Sequence, residues 1–154
     1  MHKRWKRLLH ETSVAPRAPA RRKVRAYLPE SRCFVASCSG AVVAACVVKP
    51  LGAGAHELMS IAVRPGGQQA GHGTALLRWV IRDLERRGAS RLKVGTARSA
   101  TNSPSLAFYQ RQGFRVMGTD HDFFVRNYPQ PLFEGGIRHF DMLRLARKLT
   151  NAIE

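Results

Sequence analysis

Apolar positions in this chain fall into two rhythms. Between Arg32 and Val63 they come in dense runs, "CFVAS" and then "AVVAACVV", separated by the turn "CSG". Runs of that length, rich in β-branched side chains, predict two buried strands joined as a hairpin. "PLGAGA" (50–55) follows as a loop, and "HELMSIAV" (His56–Val63) predicts a third strand. Strict alternation there puts Glu57, Met59, Ile61 and Val63 on one face. The period then lengthens to 3.6. In "TALLRWVIRDLERRG", Leu76, Leu77, Val80, Ile81 and Leu84 form one stripe, with Arg86 and Arg87 near the end and Gly88 as a C′ cap. "RLKVGTA" predicts another strand. "TNSPSLAFYQRQG" predicts a short helix, with Ser103 as N-cap, Pro104 at N1 and Gly113 closing it. "FRVMG", "HDFFVRNY" and "IRHFDMLRLARKL" predict strand-like segments around the loop "PQPLFEGG". Strand and helix alternate through most of the chain, which predicts an α/β layered fold with a central sheet.

The change of rhythm is bridged by "GGQQAGHGTALL" (Gly66–Leu77), with four glycines in eight positions directly ahead of the long helix. A loosened backbone before a helix makes room for an anion. The first N–H groups there have no internal partner and lie at the positive end of the helix dipole. A dinucleotide fingerprint requires a third glycine where Leu76 stands, and an acidic residue ending the next strand. A Walker loop requires a lysine, and none occurs between Lys49 and Lys93. What remains is Gln68-x-x-Gly71-x-Gly73 between a strand and a helix.

That spacing resembles the GNAT superfamily of acyl-CoA N-acyltransferases, whose hallmark is Q/R-x-x-G-x-G/A between its fourth strand and third helix. "NSPSLAFYQRQGF" (Asn102–Phe114) is similar to the family's second signature: an Asn, a Tyr ending a short helix, and Gly-Phe opening the next strand. Hairpin, strand, loop, helix, strand, helix and strand pair follow in the family's order from about Arg32 to Lys148. The resemblance implies a mixed, mostly antiparallel central sheet with a V-shaped splay between the family's fourth and fifth strands, and helices on both faces. The family's first strand has no counterpart in the sequence before Arg32. The resemblance also implies transfer of an acetyl group from acetyl-CoA to a primary amine, by direct attack in a ternary complex.

Residues for each task follow from the same resemblance. Main-chain amides of Gln68, Gln69, Ala70, Gly71, His72, Gly73 and Thr74 would grip the diphosphate of coenzyme A. A main-chain N–H in Ile61, Ala62 or Val63 would face the thioester oxygen, and Asn102 would bond the pantetheine arm or order its turn. Tyr109 is the candidate acid, because a phenol titrating near 10 keeps its proton at neutral pH; the plain alternative is an aromatic packing beside Phe108. Glu57 is the candidate base. Met59 and Ile61 beside it would form an apolar wall and raise its affinity for protons; the alternatives are a solvated strand-end carboxylate or a substrate anchor. Asp120, His121 and Asp122 form a second polar cluster that could face the cleft. His121 and Asp122 would point to opposite faces of a strand, which excludes a shared metal. His56, His72 and His139 read as surface or packing residues.

Composition changes the picture in two places. The chain has 154 residues and a net charge of +16, with nine basic groups and one acid among the first 25. Half the excess is therefore local, which divides the chain into a basic segment, 1–31, helical or partly disordered, and a catalytic domain, 32–154. Such a segment can hold nucleic acid nonspecifically, but no RNA-binding signature accompanies it, so that reading ranks second. A non-catalytic acyl-CoA-binding protein of the same fold is a further alternative. The expected partner is a small-molecule or peptide amine, and a homodimer is left open. No run of about 18–20 apolar residues offers a membrane span, which reads as a soluble, cytoplasmic chain. Cys33, Cys38 and Cys46 read as free thiols, although a two-residue turn at Ser39-Gly40 would set Cys33 opposite Cys46.

Overall fold

The computed structural model describes residues 30–64, 71–97 and 104–150. Strands β1 (Arg32–Cys38), β2 (Ala41–Gly52) and β3 (Ala55–Val63) lead into helix α1 (His72–Arg86). β4 (Arg91–Ala97), α2 (Pro104–Arg111), β5 (Arg115–Asp120) and the short α3 (Phe123–Asn127) follow. A small hairpin, β6 (Phe133–Glu134) and β7 (Ile137–Arg138), precedes the last strand β8 (Met142–Lys148). Six strands form one sheet in the order β1-β2-β3-β4-β8-β5. Only β3 and β4 run parallel; the other four pairings are antiparallel. This is the mixed, mostly antiparallel sheet that the resemblance implies.

The predicted helix stripe is the centre of the core. Leu76, Leu77, Val80, Ile81 and Leu84 are all buried, against Phe34, Ala44, Cys46, Val48, Leu58, Leu92, Val94 and Leu145 of the sheet. Both main helices end in the same way. After α1, Gly88 N–H bonds to Glu85 and Ala89 N–H to Leu84; after α2, Gly113 N–H bonds to Gln110 and Phe114 N–H to Tyr109. Each is a Schellman closure around a glycine in the left-handed region, φ +81° at Gly88 and +84° at Gly113. In α2 the closure packs Phe114 edge-to-face with Tyr109, ring centroids 5.7 Å apart, which gives the Tyr…Gly-Phe spacing a physical reason.

The opposite face carries a second cluster, Ala45 and Val47 with Cys33, Val35, Val42, Met59 and Ala62. Its existence corrects two readings. A bulge opposite Val47/Val48 makes Met59 the extra residue of β3, so alternation restarts there. Leu58, Ile61 and Val63 pack toward the helices while Met59 and Ala62 pack away, and Glu57 shares no face with Ile61 and Val63. A second bulge at Ala36/Ser37 shifts the hairpin by one, pairing Cys33 with Val47 and Phe34 with Cys46. The two thiols therefore lie on opposite faces, and all three cysteines are free.

"HDFFVRNY" is helical rather than strand-like. His121 and Asp122 form a turn, with Asp122 at φ +56°, and Phe124 is buried against Tyr128 and His139. A side chain that needs burial every third or fourth residue selects a turn of helix over an alternating strand. No helix among the described residues is long and apolar enough to cross a membrane.

Candidate functional site

Pairing of β3 with β4 runs from Ala55/Arg91 to Leu58/Val94 and then stops. Beyond that point β3 pairs only with β2, through Ile61, Ala62 and Val63, and β4 only with β8, through Gly95, Thr96 and Ala97. The sheet opens here as a V between two strands. The edges of Ile61–Val63 and Gly95–Ala97 that face each other across it have no ladder partners among the described residues, which leaves backbone donors available.

On the helical face a cleft of about 290 Å³ lies at this opening. Ile61 and Val63 of β3, Gly71, Gly73 and Thr74 of the α1 terminus, and Ser105, Phe108 and Tyr109 of α2 line it. Gly71 is the N-cap residue at φ +80°, no side chain caps the helix there, and the first turn holds no acid. The first intrahelical bond runs from Ala75 N–H to Gly71, so the amides of His72, Gly73 and Thr74 precede the ladder. Gly73 lies close against β3: a Cβ there would stand 3.1 Å from Val63 Cγ2. The helix terminus is thereby seated directly on the end of β3.

Tyr109 forms the back of the cleft. It is buried, with Phe108 at 5.3 Å and Phe114 at 5.7 Å between ring centroids. Burial pushes its phenol up to about 12, so it carries its proton throughout the neutral range. Gln68, Gln69, Ala70, Asn102 and residues 1–29 lie outside the described residues.

Glu57 opens onto a different cleft, of about 430 Å³ on the opposite face, lined also by Leu51, Arg91, Lys93, Met117 and Arg144. The expected apolar wall is replaced by a cation. Arg144 Nη1 lies 3.3 Å from Glu57 Oε1, and its Nη2 lies 3.1 Å from Asp120 Oδ2. Its guanidinium also stacks over Phe123 at 5.1 Å. Asp120 pairs with Arg126 as well, and hydrogen bonding to Arg144 is the main reason its carboxyl sits below the usual range. Asp120 therefore joins Glu57 through a shared arginine, while His121 and Asp122 turn outward to meet Asp141. No cluster of metal-ligating side chains occurs among the described residues. His139 is a buried packing residue beside Phe124, with Nε2 3.2 Å from Glu134.

Sequence reasoning missed Arg144, Lys93 and Ser105. The first two had a usable signal: in "RLKVGTA" and "MLRLARK" they are the polar members of alternating strands, on the face turned from the helices.

Comparison with known proteins shows what the chain is similar to. The sequence model described as the acetyltransferase (GNAT) family matches residues 2–114, so the likeness extends further toward the N-terminus than the motifs alone indicate. The chain is 34% identical over 127 residues to the Bacillus subtilis (strain 168) protein described as "Uncharacterized N-acetyltransferase YvbK", covering 82% of this chain and 81% of that one. Among solved structures it is similar to an IAA acetyltransferase from Bacillus cereus, at 33% identity and TM-score 0.79, covering 94% and 91% of the two chains. It is also similar to a Bacillus subtilis acetyltransferase in complex with CoA, at 31% identity and TM-score 0.81, covering 93% and 91%.

Proposed function

The chain belongs to the GNAT family of acetyltransferases, and on that premise we propose how its two clefts divide the reaction. Acetyl-CoA is the acyl donor and supplies a thioester carbonyl for attack by an amine. The helical-face cleft fits its anionic and acyl ends: an uncapped helix terminus with no acid nearby suits a diphosphate, and the unpaired strand edges suit an acyl arm. Main-chain amides of Gly71, His72, Gly73 and Thr74 hold the diphosphate, continued by Gln68, Gln69 and Ala70. A free N–H on the open edge of Ile61–Val63 donates to the carbonyl oxygen as charge builds on it. Asn102 is assigned to the pantetheine arm, as a hydrogen-bond partner or through its turn.

The acceptor enters from the opposite face, where Glu57 stands one residue before the point at which β3 and β4 separate. Glu57 takes the proton from the incoming ammonium, directly or through one water. The amine nitrogen then bonds to the acyl carbon, the carbon–sulfur bond breaks, Tyr109 supplies a proton to the departing sulfur, and the second proton shed by the acylated nitrogen restores Tyr109 through solvent. The observation that carries this reading is the parting of β3 from β4 between the two clefts.

Charge in the acceptor cleft narrows the amine. Arg91, Lys93 and Arg144 line it against the single carboxylate of Glu57, and Arg144 already engages both Glu57 and Asp120. A polycation gains little there, whereas an amine bearing a carboxylate or phosphate finds Lys93 and Arg91 without carboxylate partners among the described residues. Thiol release from acetyl-CoA over a panel of amines tests this. Aminocarboxylates and aminophosphates should turn over faster than polyamines, and Lys93→Glu should narrow or reverse the order. A panel led by polyamines, and unaffected by Lys93→Glu, would sink the acceptor assignment.

A further inference from the structure

A third groove, of about 670 Å³, lies where the C-terminal ends of α1 and α2 meet the end of the sheet. It shares no lining residue with the helical-face cleft, and only Ala146 with the acceptor cleft. Arg78, Arg82, Arg111, Arg115, Arg147 and Lys148 line it, against one carboxylate, Glu85. Glu85 is engaged elsewhere, accepting from the Thr150 amide at 3.3 Å and from its hydroxyl at 3.2 Å. Arg147 is anchored by donating to the Gln112 carbonyl at 2.6 Å. The other five cations are exposed and have no carboxylate within ion-pair reach among the described residues. Concentrating that much like charge on one surface destabilises the compact state unless an anion compensates it.

Two further features define the anion. Arg78 and Arg82 stand one helical turn apart, about 6 Å along the axis, and Arg111 and Arg115 flank the groove's other wall, so the charge is a strip rather than a point. No aromatic ring lines the groove, which removes the stacking platform on which single strands rest. Arg82 also lies about 13 Å along α1 from Gly73, beyond the reach of one phosphate held at both places. We infer that this groove binds the phosphate backbone of a nucleic-acid duplex, without reading its bases. Contacts of this kind position a protein on a helix and carry no sequence information.

The test uses the full chain and fluorescence anisotropy with labelled duplex DNA, duplex RNA and a single strand, across a salt series. Arg78→Gln, Arg82→Gln, Arg111→Gln and Arg115→Gln are combined in one variant. All four side chains are exposed, and acetyl-CoA titration of the variant checks that it is folded. A comparator replaces Lys3, Arg4, Lys6 and Arg7 by Gln, to separate the basic leader from the groove. The groove variant should flatten the salt dependence of duplex binding by about 0.9 for each phosphate it no longer neutralises, up to ~3.6 in total. Acetyl-CoA affinity should be unchanged, duplex should be preferred over single strand, and saturating acetyl-CoA should not displace it. The proposal fails if the groove variant keeps the wild-type salt slope, with any loss confined to the leader variant. It also fails if single strands bind better than duplexes. If acetyl-CoA displaces the duplex and the groove variant loses acetyl-CoA affinity, the proposal is overturned and the cations belong to the cofactor's own phosphates.

Discussion

Tyr109 is held by Phe108 on one side, Phe114 on the other and the main core beneath, so its ring and its hydroxyl serve separable ends. Tyr109→Phe keeps the ring and removes the proton donor. Turnover should fall by about 10²-fold or more, while thermal stability changes by no more than ~1 kcal/mol. Because burial holds that proton up to about pH 12, the wild-type rate should show no loss from Tyr109 ionisation at neutral or mildly alkaline pH. Glu57 calls for a different readout. Glu57→Gln should also slow turnover by about 10²-fold, but the deficit should shrink as pH rises, because an acceptor amine that loses its proton to solvent needs no base. A deficit constant with pH would assign Glu57 to anchoring rather than proton transfer. Both residues were legible in the sequence as candidates. The partner that defines the surroundings of Glu57, Arg144, sits 87 positions away, and only the sheet brings the two together.

Among the elements, β4 past the V is the most sensitive to added bulk. A Cβ on Gly95 would collide with the Met142 thioether and stand 3.0 Å from Arg144 Nη1. Gly95→Ala should therefore displace the Met142 side chain and crowd the Arg144 guanidinium, raising the KM for the acceptor while leaving cofactor affinity nearly unchanged. Steady-state kinetics in both substrates, with calorimetric titration of CoA, separates the two effects. Gly71→Ala makes the opposite prediction. Its φ of +80° costs an L-residue about 1–2 kcal/mol, so cofactor affinity should fall while any acceptor that still turns over keeps its KM. Elements were well read from the sequence wherever a period ran for two turns or more, as in α1, or where a glycine closed a helix, as at Gly88 and Gly113. Single-residue events were not. The bulges at Met59 and at Ala36/Ser37 each invert what lies beyond them, and neither leaves a mark in composition. The turn at Asp122 escaped for a related reason: "HDFFVRNY" is too short for periodicity to separate helix from strand.

For the molecule as a whole, one buried and one half-buried thiol set an alkaline limit. Cys33 and Cys46 are both pushed up to about 12 from an ordinary value of 9.0, by burial. Below pH 9 each thiol is protonated whether the chain is folded or not. Above it the unfolded chain ionises first, so it binds fewer protons than the folded one and stability falls as pH rises toward 12. For Cys46, which is fully buried, the slope is about 1.4 kcal/mol per pH unit. Denaturant melts from neutral to alkaline pH should show that decline, and Cys46→Ala should flatten it while lowering stability overall. Cys38 is exposed and should be the first thiol to react with a maleimide in the native protein. It also adds a background signal to any assay that counts released thiol.

The extra residue at Met59 has one more consequence. By resetting the alternation of β3, it sets Glu57 and the side chains of Ile61 and Val63 on opposite faces of a wall one backbone thick. On the proposed division of the two clefts, mutations that recarve the Glu57 side should leave acetyl-CoA affinity unchanged. Under that division, the choice of amine can be altered by substitution while the use of the donor stays constant.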